Sequence, residues 1–311
     1  MTHRTSLPDP GGAMKEAPAP HDHARSLQLR DGRQLAYRIY GVSQGRPIYF
    51  FHGFPGTRLQ AALVQAQAAA LGIALVGFDR AGFGDSTPAR QGTLDSVVGD
   101  VADLADHLGH RRFGLVGVSC GGAHALACAR RLPERVSAVG LLAGAGPMHR
   151  PEARAGQLPL LRVMFALARL HPWFVSPLLA LDRLMFRANV ERAVDALSSM
   201  LTAPDRELLS RDAEVRSIFG ASLAAAYRQG IGGAMYEARR IALFSERELH
   251  GIDAPVHVFQ GDHDRHVTPA MGRFIAQALP RGRLHWCADE GHLSIVVNRF
   301  DACARLVLQA S

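Results

Sequence analysis

The stretch Phe113-Gly-Leu-Val-Gly-Val-Ser119-Cys-Gly-Gly122 constrains this chain more than any other. Its first half, Phe113 to Val118, is a short apolar run suited to a buried parallel strand. Its continuation, Gly121 to Arg131, is Ala-rich and closed by arginines and Pro133, which predicts a helix. Between them Gly117-Val-Ser119-Cys-Gly121 forms G-x-S-x-G. That pattern belongs to a strand-to-helix turn so tight that the serine takes a strained backbone and the residues two away on either side must lack bulk. Chance alone supplies about 0.15 such matches in a chain of this length, so the order strand, serine, helix is what gives the pattern weight.

The same alternation organises most of the chain. Leu27 to Arg30 and Gln34 to Tyr40, joined through Asp31-Gly32, read as a β-hairpin. Pro47 to Phe51 is a third strand running into His52-Gly-Phe54-Pro55-Gly56. A helix is predicted over Thr57 to Leu71, a strand over Ile73 to Phe78, and a Gly-rich loop over Asp79 to Ser86. Apolar residues at Val97, Val98, Val101, Leu104 and Leu108 predict an amphipathic helix from Thr93 to Leu108. After the serine turn, Val136 to Leu142 is a further strand.

From Pro147 to Leu249 the pattern is helical, with no convincing strand. Alternation resumes with a strand over Pro255 to Gln260 and a helix to Leu279, for which Thr268-Pro269 is a cap-and-first-turn pair. Arg283 to Cys287 is the last strand, ahead of a terminal helix. The chain therefore reads as an α/β core in two pieces, residues 26–146 and 252–311, around a helical insertion over 147–251. Right-handed crossovers then give a mostly parallel sheet covered by helices on both faces, with functional loops at the carboxyl ends of its strands.

Composition narrows the partners. The net charge is +7, but the arginines fall in isolated pairs (Arg111-Arg112, Arg130-Arg131, Arg239-Arg240) without aromatic interleaving, so no nucleic-acid partner is expected. Cys120, Cys128, Cys287 and Cys303 show no metal-ligand spacing and sit in apolar segments, which implies reduced thiols and a cytoplasmic setting. Residues 1–25 are rich in Pro, Gly and His and read as a disordered tail, with His21-Asp22-His23 solvated rather than metal-binding. The longest apolar region, Leu158 to Phe186, is broken by Arg162, Arg169, His171-Pro172, Pro177 and Asp182, so no membrane span is expected. Neither a ligand cluster nor a dinucleotide fingerprint is present, and no metal or cofactor is expected.

Chemistry-bearing residues fall just after strands. A nucleophilic serine needs a base, and the base needs a carboxylate to fix its tautomer. Ser119 is the candidate nucleophile, His292 in Gly291-His292 the candidate base, and Asp264 in Gly261-x-x-Asp264 the candidate carboxylate. Asp262 is the alternative carboxylate. The backbone amides of Phe54 and Cys120 are candidate oxyanion donors. His52 is expected to organise its loop, His124 to pack on the helix after Ser119, and His263 and His266, which flank Asp264, to lie at the surface or support that residue.

His52-Gly-Phe-Pro-Gly56, Asp79-Arg-x-Gly-x-Gly-x-Ser86, Gly117-Val-Ser-Cys-Gly-Gly122, Gly261-x-x-Asp264 and Gly291-His292 jointly resemble the α/β-hydrolase superfamily, from about Ser26 to the C-terminus. The insertion looks like the lid that this family carries after its sixth strand. The His-Gly-Phe-Pro loop is similar to that of epoxide hydrolases and haloalkane dehalogenases, which use an aspartate where this chain has Ser119. Tyr227 and Tyr236 resemble the epoxide-activating pair, but without that aspartate they read as lid packing. The resemblance implies a serine hydrolase acting on a small-molecule carboxylic ester or lactone. Leu160, Met164, Phe165, Trp173, Phe174, Met185 and Phe186 suggest an apolar moiety in that substrate, or simply lid helices packing on one another. Amide or C–C cleavage, cofactor-free perhydrolysis, and a non-catalytic ligand-binding role are the alternatives. Amide cleavage of the aminopeptidase kind needs a lid carboxylate for the substrate amine, and Glu237 is available.

Overall fold

The apolar runs of the sequence line up in a single sheet. The computed structural model describes residues 24–89 and 92–310, so the tail up to residue 23, with His21-Asp22-His23, lies outside the described residues. The strands are β1 (Arg25–Gln28), β2 (Gln34–Gly41), β3 (Arg46–Phe51), β4 (Ile73–Phe78), β5 (Phe113–Val118), β6 (Val136–Leu142), β7 (Val256–Gly261) and β8 (Gly282–Cys287). They form an 8-stranded sheet in the order β1-β2-β4-β3-β5-β6-β7-β8. β1 and β2 pair antiparallel, as does β2 with β4, and every other pairing is parallel. The sheet is mostly parallel, as the strand–helix alternation of the sequence implies. The central strands β4 to β7 are buried along their whole length, which is why they read as unbroken apolar runs.

The core helices are α1 (Gln65–Ala70), α2 (Ser96–His107), α3 (Gly121–Arg131) and, after the insertion, α10 (Pro269–Ala278) and α11 (Ser294–Gln309). The helices of the insertion are α4 (Pro159–Leu170), α5 (Ser176–Ala188), α6 (Val190–Ser198), α7 (Ala203–Arg211), α8 (Ala213–Ala226) and α9 (Gly232–Leu243). Gly114 and Gly117, on opposite faces of β5, show how the layers close. A Cβ at Gly114 would strike Val307 of α11, and one at Gly117 would lie 2.7 Å from Gly122 of α3. Thus α11 and α3 cover opposite faces. Among the described residues no helix is long and apolar enough to cross a membrane.

Three local expectations are corrected. The helix expected over Thr57–Leu71 is instead a 3-10 segment, Arg58–Val64, followed by the short α1. The Arg58 amide and guanidinium are both tied to Asp79, and the tight turns seat Arg58 and Ala61 against Gly77 of β4. The helix expected from Thr93 begins at Ser96, whose hydroxyl accepts the Thr93 amide. Thr268 stands at the N-cap of α10, but its hydroxyl donates to the Ala153 carbonyl of the insertion rather than capping the helix.

The turn between β5 and α3 is a tight junction. Ser119 has φ 52°, in the left-handed region. A Cβ on Gly121 would lie 2.2 Å from the Phe51 carbonyl oxygen and 2.6 Å from that of His52, so only glycine lets α3 start against the end of β3. Replacing Gly121 by Ala should therefore destabilise the fold by about 2 kcal/mol through forced backbone shifts. Gly99→Ala in α2, where nothing lies within 4 Å, should stabilise it, by about 0.5–1 kcal/mol. Denaturant melts of the two variants check the contrast.

Candidate active site

β3 lies between β4 and β5, and the chain leaves it toward β4 before returning to the other side at β5. That reversal is a topological switch point, where loops from adjacent strand ends part and leave a crevice. Two candidate segments meet there: the loop after β3, with Gly53 and Phe54, and the turn after β5, with Ser119 and Cys120. A Cβ on Gly53 would lie 3.5 Å from the Ser119 Cβ. The Ser119 carbonyl accepts the amides of Gly122 and Ala145 at 2.9 and 2.8 Å, and its own amide donates to Leu142 of β6.

Asp264 and His292 arrive from the loops after β7 and β8. The His292 Nδ1–H donates to Asp264 Oδ2 at 2.8 Å. The other oxygen, Oδ1, accepts the amides of His266 at 2.8 Å and Val267 at 3.0 Å. The carboxylate is buried and aimed by its own loop. Asp262 points elsewhere; its Oδ1 lies 3.9 Å from His263. Burial pushes the His292 ring toward neutrality, but the Asp264 carboxylate outweighs it, and Asp205 adds to that hold, so the ring sits above the ordinary imidazole value.

His266 lies face to face with His292, ring centroids 4.8 Å apart and planes 19° from parallel. Burial, then the proximity of His292, pushes His266 down to about 4, so it is neutral at physiological pH. The donor atoms of Asp264, His266 and His292 lie within 4.8 Å of one another. Stacked rings, however, send their in-plane lone pairs out along near-parallel planes, and the carboxylate is committed to His292. This set does not converge on one metal ion.

The loop after β3 is held from beneath. His52 is fully buried, donates through Nδ1 to the Gly53 carbonyl at 2.8 Å and accepts the Arg80 amide at Nε2 at 3.3 Å. These contacts require the neutral ring, which burial also enforces by holding its pKa well below the ordinary value. The Gly53 amide donates to Gln60 Oε1 at 2.6 Å. Arg80 donates to the carbonyls of His52 and Gly53 and pairs with Glu237 of α9 through Nε–Oε2 at 2.8 Å and Nη2–Oε1 at 2.5 Å. Burial alone raises the Glu237 carboxyl, but Arg80 overrides it and leaves the group far below the usual carboxylate range. Committed to Arg80 inside the protein, Glu237 is not free to anchor a substrate amine. His124 is buried with its Nε2 3.4 Å from Glu237, part of this support and away from Ser119's cavity.

Ser119, Cys120, Gly53, Phe54, His266 and His292 all line one cavity of about 250 Å³ beneath the insertion. Its remaining wall is mostly apolar, with Leu160, Met164, Phe165, Leu179, Met185 and Phe186 among the contributors. Tyr227 also faces it, its hydroxyl donating to Asp182 Oδ2 at 2.5 Å, whereas Tyr236 lines a separate cleft with His171 and Arg240. The two tyrosines do not form a pair over Ser119.

Several residues at this site gave no distinguishing signal in the sequence. Asp205 reads as an ordinary first-turn acid of α7. Glu237 and Arg80 are far apart in sequence, and their partnership exists only once the insertion is seated. Gln60 falls in a segment that reads as plain helix. Only His266, two residues from Asp264, was within reach of a local reading.

The family profile described as alpha/beta hydrolase fold matches residues 46–298. A poly(3-hydroxyalkanoate) depolymerase from Ectopseudomonas oleovorans is 27% identical over 266 residues, 85% of this chain and 83% of that protein. The dihydrolipoyllysine-residue acetyltransferase component of the acetoin cleaving system from Pseudomonas putida is 37% identical over 116 residues. That match takes in 37% of this chain and spans 31% of the longer protein. Among solved structures, an enol-lactonase from Burkholderia xenovorans LB400 superposes with a TM-score of 0.65 at 23% identity, covering 92% of this chain and 98% of that one. At that identity the likeness speaks to the fold.

The Arg80–Glu237 pair generates a stability prediction. Removing one partner of a buried pair leaves the other charge uncompensated, and Glu237→Gln should destabilise the protein by about 3–5 kcal/mol near neutral pH in denaturant unfolding. Because the folded-state pKa of Glu237 is depressed, its contribution is present above the unfolded value of about 4.3 and is lost as pH falls toward the folded one. The gap between wild type and variant should therefore shrink as the medium is acidified below about 4.

Proposed function

The chain belongs to the alpha/beta hydrolase fold family, and we propose that within it this protein is a serine hydrolase that cleaves a carboxylic ester or lactone. The observation that carries this proposal is the 2.8 Å His292–Asp264 contact, which commits Nδ1 to the carboxylate and leaves Nε2 as the basic nitrogen of a ring that lines the same cavity as Ser119. A depolymerase relative supports the bond type, since poly(3-hydroxyalkanoate) is a polyester.

Ser119 Oγ attacks the carbonyl carbon as His292 Nε2 takes its proton. The resulting oxyanion is held by the amides of Phe54 and Cys120. Collapse breaks the ester C–O bond, His292 returns the proton to the departing alkoxide, and the acyl group stays on Ser119. Water, deprotonated by the same histidine, then attacks the acyl-enzyme, releases the acid and restores Ser119. Asp264 keeps the imidazole in one tautomer and stabilises its cation throughout. Residues 147–251 act as the lid over the core, and their apolar cavity wall selects an apolar acyl or alcohol moiety. The free, buried state of the four cysteines fits a reducing cytoplasmic setting.

A panel of p-nitrophenyl esters of increasing acyl length tests the proposal. kcat/KM should rise with chain length in wild type and vanish in Ser119→Ala; residual turnover in that variant at the wild-type rate contradicts it. Catalysis needs neutral His292, whose pKa is raised, so kcat/KM should climb with a midpoint above the ordinary histidine value of about 6.5. Asp264→Asn should lower kcat by about 10³-fold or more and move that midpoint down, whereas Asp262→Asn should leave both near wild type. Equal damage from both substitutions would transfer the role away from Asp264.

A further inference from the structure

The insertion reaches the loop of His292 through one carboxylate. Asp205 in the first turn of α7 is fully buried. Its Oδ2 accepts the His292 amide at 2.9 Å, and its Oδ1 accepts the amides of Leu293 and Ser294, each at 2.9 Å. Thr202 Oγ1 adds a longer contact to Oδ2 at 3.4 Å. These are the amides that open α11, a helix with no side-chain cap from its own flanking residues. A buried carboxylate without a bonded cation must find compensation elsewhere, and three converging N–H groups at a helix start supply it.

The contact also accounts for the residue before the histidine. A Cβ on Gly291 would lie 2.3 Å from Asp205 Oδ1 and 2.5 Å from both Cγ and Oδ2; all three nearest atoms belong to Asp205. Gly291 is thus the opening through which a lid carboxylate reaches the backbone of the base.

We propose that Asp205 is a positioning residue for His292, fixing the imidazole against Asp264 by holding the backbone of residues 292–294 and making correct alignment depend on the seating of α7. This rests on the reading of His292 as the base. α7 begins just after Met200 and Leu201, which line the cavity, so a substrate filling that part of the wall bears on the same helix turn that grips the histidine loop. The ring itself is faced by Asp264 and the neutral His266 from the β7–α10 loop, with Asp205 approaching from α7.

Asp205→Asn in the full chain is the test, because it keeps the shape, removes the charge and turns one acceptor into a donor facing an N–H. Expected are faster hydrogen–deuterium exchange at residues 292–294, a kcat about tenfold or more lower with KM little changed, and a kcat/KM midpoint displaced to lower pH. A purely structural role would lower the melting temperature without moving that midpoint. Unchanged exchange together with an unmoved midpoint overturns the proposal. Should Asp205→Asn not fold, Gly291→Ala replaces it: the three atoms nearest the added methyl all belong to Asp205, so the methyl should push the carboxylate off the 292–294 amides, speeding exchange there and lowering the midpoint, and unchanged exchange with an unmoved midpoint refutes the proposal. If wild type turns over no ester, it is the hydrolase reading that fails, while exchange at 292–294 still reports on Asp205.

Discussion

The close approach of the β5–α3 turn to the end of β3 is the constraint on which the rest depends. Backbone meets backbone there, with Gly121 against the carbonyls of Phe51 and His52, and no side chain can intervene. The approach forces Ser119 into its left-handed conformation and sets the loop after β3 beside it. Ser119 and the segments carrying Phe54 and Cys120 are thereby brought to one crevice by sheet geometry. Such preorganisation is what an oxyanion site needs, since donors already in place cost no reorganisation during reaction.

Around this junction the loops after β3 and β8 are each held by a carboxylate from the insertion. Glu237 works through Arg80 on the His52–Gly53 carbonyls, and Asp205 works directly on the His292 backbone. Both carboxylates are buried, so both contacts are strong in place and expensive to leave half-made. The insertion is therefore more than a cover over an apolar cavity. It is a structural part of the candidate site, and in the proposed reading its displacement would loosen the loop after β3 and the His292 loop together.

Much of this was legible in the sequence. Apolar runs located the central strands because these are buried on both faces, whereas the edge strand expected over Leu27 to Arg30 lies at Arg25–Gln28, with Leu29 already in the turn. G-x-S-x-G, Gly261-x-x-Asp264 and Gly291-His292 marked the loops because close approach of other atoms at these positions leaves no room for a side chain. What escaped was set by distance along the chain. Asp205 and His292 are 87 residues apart, and Arg80 and Glu237 are 157 apart. Their residue types are ordinary for helices and loops, so only the folded insertion reveals them. The Thr57–Leu71 segment was misread for a similar reason: its tether, Asp79, lies on the far side of a strand.

The central claim is that Ser119 is a nucleophile activated within this constellation. Intact-mass and peptide analysis after exposure to a fluorophosphonate measures it most directly. One label per chain, on Ser119 and absent from Ser119→Ala, is the predicted result. A folded wild-type protein that takes no label, or one labelled at a different residue, would contradict it.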